Sequence, residues 1–518
     1  MGVVKFLCII LFFASNNEAA RILAYFPTPS ISHQVVFRPL LQELAKHGHE
    51  LIVITTDPAF PKGQTPANYT EIDVHDLSYK AWKEHFLAIT SKGSKDSFSQ
   101  IKVAFHLIAR IFKEQMQSDE VQAVLKDTSK KFDLLLVEAL AKPALSLTHV
   151  LKAPLIQISS LGGTNDNYEV AGAPLHPILY PTFFRQKLYN LTFWEKAREL
   201  YNHYKYMGWF NRFEAYENEL IRKVFGAEVP DLSELGENVD MLFLNVNPIW
   251  EDNRPLPPNV ITMGGLHQAP MKKLPQELKS YLDNSTNGVI YISFGTNVDP
   301  SQMPPEKIQI LVKVLSQLPY NVLWKWNKDE LEGRSENIKI SKWFPQSDLL
   351  RHPNVKLFIT QGGLQSTDEA ITAGVPLIGI PMLGDQWFNV EKYTYHKIGK
   401  RLDIDTLTED EFRDAVHTVI GDKSYRENMI RLRTLMTDQP QTPLERAVWW
   451  TEYVIRHGGA RHLRSPAATI TWAEYLELKF VAALLALAMS FVTVAVLVIY
   501  YIAKFLRKYI VDAKMKTS

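Results

Sequence analysis

The sequence predicts an α/β protein of two similar halves, each a doubly wound sheet, followed by one membrane-spanning helix. Three observations carry that expectation. Short apolar runs alternate with helical patterns from residue 21 onward, the rhythm restarts after a pattern-poor stretch near the middle, and 24 residues near the C-terminus hold no charge. Strands alternating with helices imply parallel pairing, because each return to the same sheet needs a crossover.

The chain opens with "MGVVKFLCIILFFASNNEAA", a lysine, an apolar core from Phe6 to Phe13 and then small residues. That core is too short to span a bilayer, so residues 1–20 read as a cleaved secretory signal. "RILAYF" (21–26) is the first strand, followed by the loop "PTPSISHQ". A helix with Phe37, Leu40, Leu41 and Leu44 on one face ends near Gly48, and "HELIVIT" (49–55) is the next strand. "FDLLLVEAL" and "APLIQISS" continue the sheet. Residues 165–225 are dense in aromatics, among them Tyr180, Phe183, Phe184, Trp194 and Trp209, with helical spacing. They predict a helical lid or a membrane-touching surface, and equally a pocket for an apolar molecule. "MLFLNVN" and "VITMGGL" complete a first domain, 21–266.

"HQAPMKKLPQEL" is the linker, and a second domain, 267–440, repeats the pattern with "GVIYISFGT", "NVLWKW", "VKLFITQGG" and "PLIGIPM". Two such halves imply a cleft between them, where ligands of doubly wound sheets bind. A helical segment, 441–479, leads to the uncharged helix 480–503, "FVAALLALAMSFVTVAVLVIYYIA". At ~1.5 Å rise per residue it exceeds a hydrocarbon core of roughly 30 Å. The tail, 504–518, carries Lys504, Arg507, Lys508, Lys514 and Lys516 against Asp512. Positive residues stay cytoplasmic, so the body is expected on the luminal side. Sequons at Asn68, Asn190 and Asn284 agree with that side. The terminal "KMKTS" resembles a dilysine retrieval signal, giving a single-pass type I protein of the endoplasmic reticulum membrane.

Composition excludes several classes. A net charge of +1 over 518 residues, without a basic stripe, gives no case for nucleic acid. The one cysteine, Cys8, lies in the expected signal. Disulfides, thiol catalysis and thiolate zinc sites are therefore not expected in the mature chain.

The chemistry gathers around "VKLFITQGGLQSTDEA" (355–370). A strand ends near Thr360, Gly362–Gly363 allow close backbone approach, and a helix begins near Leu364. Helix N-termini expose free N–H groups and partial positive charge, which hold phosphates. The pattern is not GxGxxG, and a bare GG turn is weak evidence alone. Glu369 follows on the same helix, where a carboxylate can reach ribose hydroxyls. "PLIGIPMLGDQ" delivers Asp385 and Gln386, an acid and an amide suited to reading sugar hydroxyls. Upstream, "WFPQ" offers Trp343, a face for a flat base, and Gln346.

From Trp343 to Gln386 the chain resembles the signature of the UDP-glycosyltransferases: G-x-x-S-x-x-E, six residues, then P-L-I-x-x-P-x-x-x-D-Q. The resemblance extends over nearly the whole chain, and "FRPLLQELAKHGHELIVIT" with "DPAFPKGQTP" looks like insect, lepidopteran-type enzymes. It implies a GT-B-like fold, two Rossmann-like domains facing a cleft plus the C-terminal transmembrane helix. It further implies that Trp343 stacks the uracil while Gln346 and Glu369 bind ribose. Ser293, Gly295 and Thr296 of "SFGT", with Gln361, Gly363, Gln365 and Ser366, match positions around the diphosphate. Asp385 and Gln386 match those holding the hexose, and Arg254 matches an arginine near the donor. His33, read as lying in the loop after the first strand, matches the catalytic histidine. Its acidic partner falls at Glu138, with Asp133 the rival.

The activity so implied is inverting transfer of a hexose, glucose first and glucuronic acid as the alternative, to a hydroxyl of a small lipophilic acceptor. Phenolics, plant defence compounds, xenobiotics or hormones fit that description. The UDP-sugar is a co-substrate, and no cofactor or metal is expected. Self-association in the membrane is a family habit. Two other classes stay open: a catalytically silent membrane-anchored binding protein, and a metal-dependent transferase built on Asp403 and Asp405 of "DID".

Overall fold

The structure, a computed structural model, describes residues 19–83, 96–297, 299–468 and 470–517. Most of the expected signal, with Cys8, falls on residues 1–18, outside the described residues. The described chain divides into two units, up to Arg464 and from Ser465 onward.

The first unit contains two parallel sheets. The first runs β1 (Arg21–Phe26), β2 (Glu50–Thr55), β3 (Tyr69–Asp73), β4 (Leu134–Glu138), β5 (Leu155–Ser159), β6 (Val239–Leu244) and β7 (Val260–Thr262) in the spatial order β3-β2-β1-β4-β5-β6-β7. The second contains β8 (Val289–Ser293), β9 (Asn321–Lys325), β10 (Ile338–Ser341), β11 (Val355–Thr360), β12 (Leu377–Gly379) and β13 (Gly399–Arg401), ordered β10-β9-β8-β11-β12-β13. The central strands β1, β4, β5, β6 and β8 are buried at every position. That is why they read as continuous apolar runs instead of alternating ones: helices cover both faces. In each sheet the strand order reverses direction once, between β1 and β4 and between β8 and β11. Ligands of open α/β sheets bind at the carboxyl ends of the strands at such a reversal.

The helices that matter for the site are α1 (Ile31–Lys46), α2 (Ser97–Met116), α3 (Phe193–Phe225), α4 (Leu364–Ala373), α5 (Gln386–Tyr395) and α6 (Pro443–His457). Helix α1 buries Val36, Phe37, Leu40, Leu41 and Leu44, the stripe expected from its sequence. Its start differs from expectation. The helix begins at Ile31, so His33 sits in its first turn and not in a loop. Helix α3 opens with a capping box, in which Thr192 and Glu195 satisfy each other's backbone N–H groups. Helix α6 returns to the first sheet, where Ala447, Val448 and Val454 share a core with Ile22, Ala24 and Phe26.

The second unit holds the long helix α7 (Leu478–Thr517). Among the described residues one segment, Leu478–Ala513, is long and apolar enough to cross a membrane, and its apolar surface is exposed.

Candidate active site

The first reversal point brings together His33 and Glu138. Glu138 is the last residue of β4, buried completely. Its Oε1 lies 2.7 Å from Nδ1 of His33, and its Oε2 accepts the backbone N–H of Thr28 at 3.1 Å. The short β1–α1 connection thus fixes the carboxylate from one side and the ring from the other. A carboxylate accepting from Nδ1–H leaves the lone pair on Nε2, the arrangement a general base requires. Asp133, the rival, accepts the backbone N–H of Arg21 at 2.7 Å and ties the start of β4 to β1.

The second reversal point is built from turns. After β8, the amide of Gly295 donates to Ser293 Oγ at 3.3 Å, and Thr296 is exposed beside it. After β11 come Gln361, Gly362 and Gly363, then α4. Gly362 has φ +92°, a conformation that a β-carbon disfavours, and one built there would strike Val390 at 2.4 Å. Gln361 is only 6% exposed; its Nε2 lies so close to Gly295 that a β-carbon on that glycine would meet it at 2.1 Å. The Oε1 of Gln361 is buried and has no hydrogen-bond partner among the described residues. Gln365 reaches across to the first half, its Nε2 donating to the Ser160 carbonyl at 3.0 Å.

Two further clusters flank the turns. Gln346 Nε2 donates to Ser366 Oγ at 2.9 Å and to Glu369 Oε2 at 2.7 Å, and its Oε1 accepts from the Tyr291 hydroxyl at 3.2 Å. Burial raises the Glu369 carboxyl above its ordinary value, and the Gln346 hydrogen bond opposes the rise. Trp343 leaves 64% of its surface exposed, an unusual amount for a tryptophan at a crevice.

Asp385 precedes α5 and is partly buried. Burial pushes its carboxyl up to about 6, against hydrogen bonds from Asn389 and the Leu364 amide and the nearby charge of His33. Gln386 uses its Oε1 to accept the N–H groups of Met382 and Leu383, both at 2.8 Å, which holds the preceding loop and leaves its amide N–H₂ available.

Arg254 is placed differently from the other donor-side candidates. Its Nη2 donates to the Tyr180 and Pro181 carbonyls at 2.8 and 3.0 Å, and its guanidinium lies 3.9 Å from the Tyr168 ring. Asn190 and Asn284 are exposed, whereas the Asn68 amide donates to the Ala45 and His49 carbonyls, both at 2.8 Å. Asp405 is exposed in a turn, where its N–H bonds Asp403 Oδ1 at 3.1 Å.

Sequence reasoning missed two residues. Lys325, the last of β9, donates to the Gly295 carbonyl at 2.8 Å with its Nζ 4.9 Å from the Trp343 ring centre. Burial lowers its ammonium to about 8. A cation closing the apolar run "NVLWK" at the carboxyl end of a strand was the available signal. Asn389 Nδ2 donates to Asp385 Oδ2 at 2.7 Å and to the Gly362 carbonyl at 2.9 Å, while its Oδ1 accepts from Trp250 at 2.9 Å. Only the fold brings those partners together.

A cavity of about 530 Å³ reaches Ala139 and Leu140, the two residues after Glu138, and is lined further by Phe184, Tyr206 and Phe210 from the aromatic segment. The two reversal points are thus of opposite character, one holding a histidine–carboxylate pair and the other glycine turns with an exposed tryptophan on the same half.

The match to known proteins decides what this assembly is. The family model described as "UDP-glucoronosyl and UDP-glucosyl transferase" matches residues 22–517. The chain belongs to that family. An ecdysteroid UDP-glucosyltransferase of Spodoptera littoralis nuclear polyhedrosis virus is 37% identical over 480 residues, covering 89% of this chain and 93% of the relative. UDP-glucosyltransferase 2 of the insect Dactylopius coccus is 35% identical over 476 residues, 91% of each chain. Among solved structures, a UDP-glucose:anthocyanidin 3-O-glucosyltransferase in complex with UDP shares the fold. It is 16% identical, with a TM-score of 0.59, over 85% of this chain and 100% of that one. The glycotransferase of kitacinnamycin aligns at a TM-score of 0.57 with 20% identity, over 84% of this chain and 98% of that one. The chain is a UDP-glycosyltransferase with the GT-B fold, and UDP-glucosyltransferase activity is the activity its relatives support. Its C-terminal helix is compatible with a membrane anchor.

Proposed function

We propose that this UDP-glycosyltransferase moves glucose from UDP-glucose, with inversion, to a hydroxyl of a small, largely lipophilic acceptor. The observation that carries the reading is the 2.7 Å contact between His33 and the fully buried Glu138. His33 takes the acceptor's proton as its oxygen attacks the anomeric carbon. The bond from that carbon to the diphosphate oxygen breaks, and UDP leaves on the opposite face. Glu138 orients the ring and stabilises the imidazolium that forms. Attack opposite the leaving group inverts the anomeric centre.

On the donor side, Trp343 stacks the uracil, and Gln346 and Glu369 take the ribose. Ser293, Gly295, Thr296, Gly363, Gln365 and Ser366 line the diphosphate, with Gln361 filling the turn behind it. Backbone N–H groups and the start of α4 stabilise the leaving charge, so no metal is called for. Lys325 adds an ammonium between the base platform and the Gly295 turn. Asp385 and Gln386 hold the hexose. Arg254 acts indirectly, through the Tyr180–Pro181 loop it holds.

The acceptor enters the cavity beside Ala139. Relatives named for ecdysteroids make steroid hormones candidates beside phenols and plant compounds. The enzyme is anchored by α7 in the endoplasmic reticulum membrane, with its catalytic body luminal and a short basic tail outside. Asn190 and Asn284 present open sequons, while Asn68 spends its amide on the fold.

Membranes carrying the enzyme, assayed with UDP-glucose and UDP-glucuronic acid against a panel of hydroxylated acceptors, test the reading. Glucose transfer that His33→Asn abolishes is the expected result. Preference for UDP-glucuronic acid would move the donor, and undiminished transfer by the variant would remove the base. Activity that withstands chelation disposes of a metal site at Asp403 and Asp405.

A further inference from the structure

The cavity beside the dyad is lined by acids and bases that transfer to a simple hydroxyl does not use. At the wall formed by α3, Lys142 pairs with Asp166 and donates to Glu214 at 2.8 Å. Burial works against the charge of Lys142, and the two carboxylates more than restore it. One turn along α3, Glu217 lines the same cavity at 4% exposure and makes no hydrogen bond among the described residues. Burial lifts its carboxyl to about 8, with Lys142 pulling the other way and Asp166 and Glu214 adding to the rise. At neutral pH it is a neutral carboxyl, able both to donate and to accept.

A buried carboxyl without a partner is costly to keep, and natural interiors satisfy such groups. Lys142 already has its two carboxylates at hydrogen-bond distance, so Glu217 is not needed to hold that amine. What remains is the space it faces. The same cavity touches Ala139 and Leu140, directly after the base's partner, and Glu214 and Glu217 of the α3 wall, so a molecule that extends from one end to the other meets Glu217.

We propose that Glu217, backed by the Lys142 cluster, hydrogen-bonds an oxygen of the acceptor remote from the hydroxyl that is glucosylated. The preferred acceptors are then rigid, multiply oxygenated molecules of steroid size instead of monofunctional phenols. The proposal rests on the reading of this cavity as the acceptor site.

The experiment uses the full chain in membranes and pairs of acceptors on one rigid skeleton. Members of a pair share the reactive hydroxyl, and one lacks the remote hydroxyl or keto oxygen. The wild type should favour the oxygenated member by about 10- to 100-fold in kcat/KM, because its loss leaves the site's polar group unpaired. Glu217→Leu should bring that ratio close to one, and Glu217→Gln, which keeps a donor and an acceptor, should preserve most of it. Direct UDP binding reports whether each variant is folded. A wild-type ratio near one overturns the proposal without any variant, and so does a ratio that survives in Glu217→Leu. Failure of the transferase reading shows separately: the wild type would then transfer glucose to neither member of a pair.

Discussion

The two sheets place their chemistry at equivalent points and fill them with opposite materials. At the reversal between β1 and β4 stand an imidazole and a fully buried carboxylate, 2.7 Å apart. At the reversal between β8 and β11 stand glycines, a serine and a buried amide. On the proposed assignment the difference follows from what each reversal point would do. Moving a proton needs a titratable side chain held in one tautomer, which costs burial of a charge and demands a rigid strand end. Holding a diphosphate needs many weak donors at short range, which the backbone supplies only where side chains stay out of the way. The same topology serves both, so fold alone does not separate acceptor side from donor side.

The sharpest test of this contrast is His33→Asn. It should lower kcat by about 10²- to 10⁴-fold while UDP binding stays within a few-fold, because only the proton-transfer crevice is touched. Rapid-quench or steady-state assays beside UDP titration measure both. Equal losses in the two would mean that the crevices are not separable. Glu138→Gln keeps the shape of the carboxylate and removes its charge. A fall in kcat on the order of 10²-fold is expected, less than for the base itself, since the imidazole remains. If Glu138→Gln lost more than His33→Asn, its main role would be to hold the Thr28 backbone and the fold.

On the donor side the effect should move to KM. Trp343→Ala removes a stacking face worth about 1–3 kcal/mol, so the KM for UDP-glucose should rise roughly 10- to 100-fold with a smaller change in kcat. A change confined to kcat would place the ring elsewhere in the mechanism. Lys325 adds a pH signature. Its ammonium is lowered to about 8 by burial, and only the protonated form attracts a diphosphate. As pH climbs through about 8 the charge is lost and donor KM should rise. Lys325→Met should start with a higher KM and lack that alkaline rise. An identical rise in the variant would assign the titration to another group.

The same contrast explains what was legible in the sequence. The central strands announced themselves because burial on both faces leaves long apolar runs such as "RILAYF" and "FDLLLVEAL". Three of the four edge strands, β3, β10 and β13, did not: "YTEID", "IKIS" and "GKR" are short and polar, as an edge that faces solvent allows. The glycine turn was readable as a local motif, and its distant helpers were not. Lys325, Asn389 and Glu217 gain their meaning from neighbours tens to hundreds of positions away. His33 was singled out by matched position and placed wrongly by local reasoning, since "PTPSIS" reads as a loop while the helix already begins at Ile31.

The smallest expected effect falls on Gln361, the one side chain that sits inside the glycine turn. Family resemblance puts histidine at this place in vertebrate enzymes, and here a neutral amide occupies it, its Nε2 pressed toward Gly295 and its Oε1 buried without a partner among the described residues. Gln361→His should fold, because the two side chains are close in size, and should change donor KM by less than about tenfold at pH 7.5. Below roughly pH 6.5 the imidazole gains a proton, so donor affinity should rise there relative to the wild type. Asp385, raised to about 6, works in the opposite direction, since its protonation removes an acceptor for the hexose hydroxyls. Both enzymes share that loss, and the ratio of their KM values isolates the new charge. A ratio flat from pH 5.5 to 8 would mean position 361 does not face the diphosphate, and loss of UDP binding with an intact fold would mean the amide itself shapes the turn.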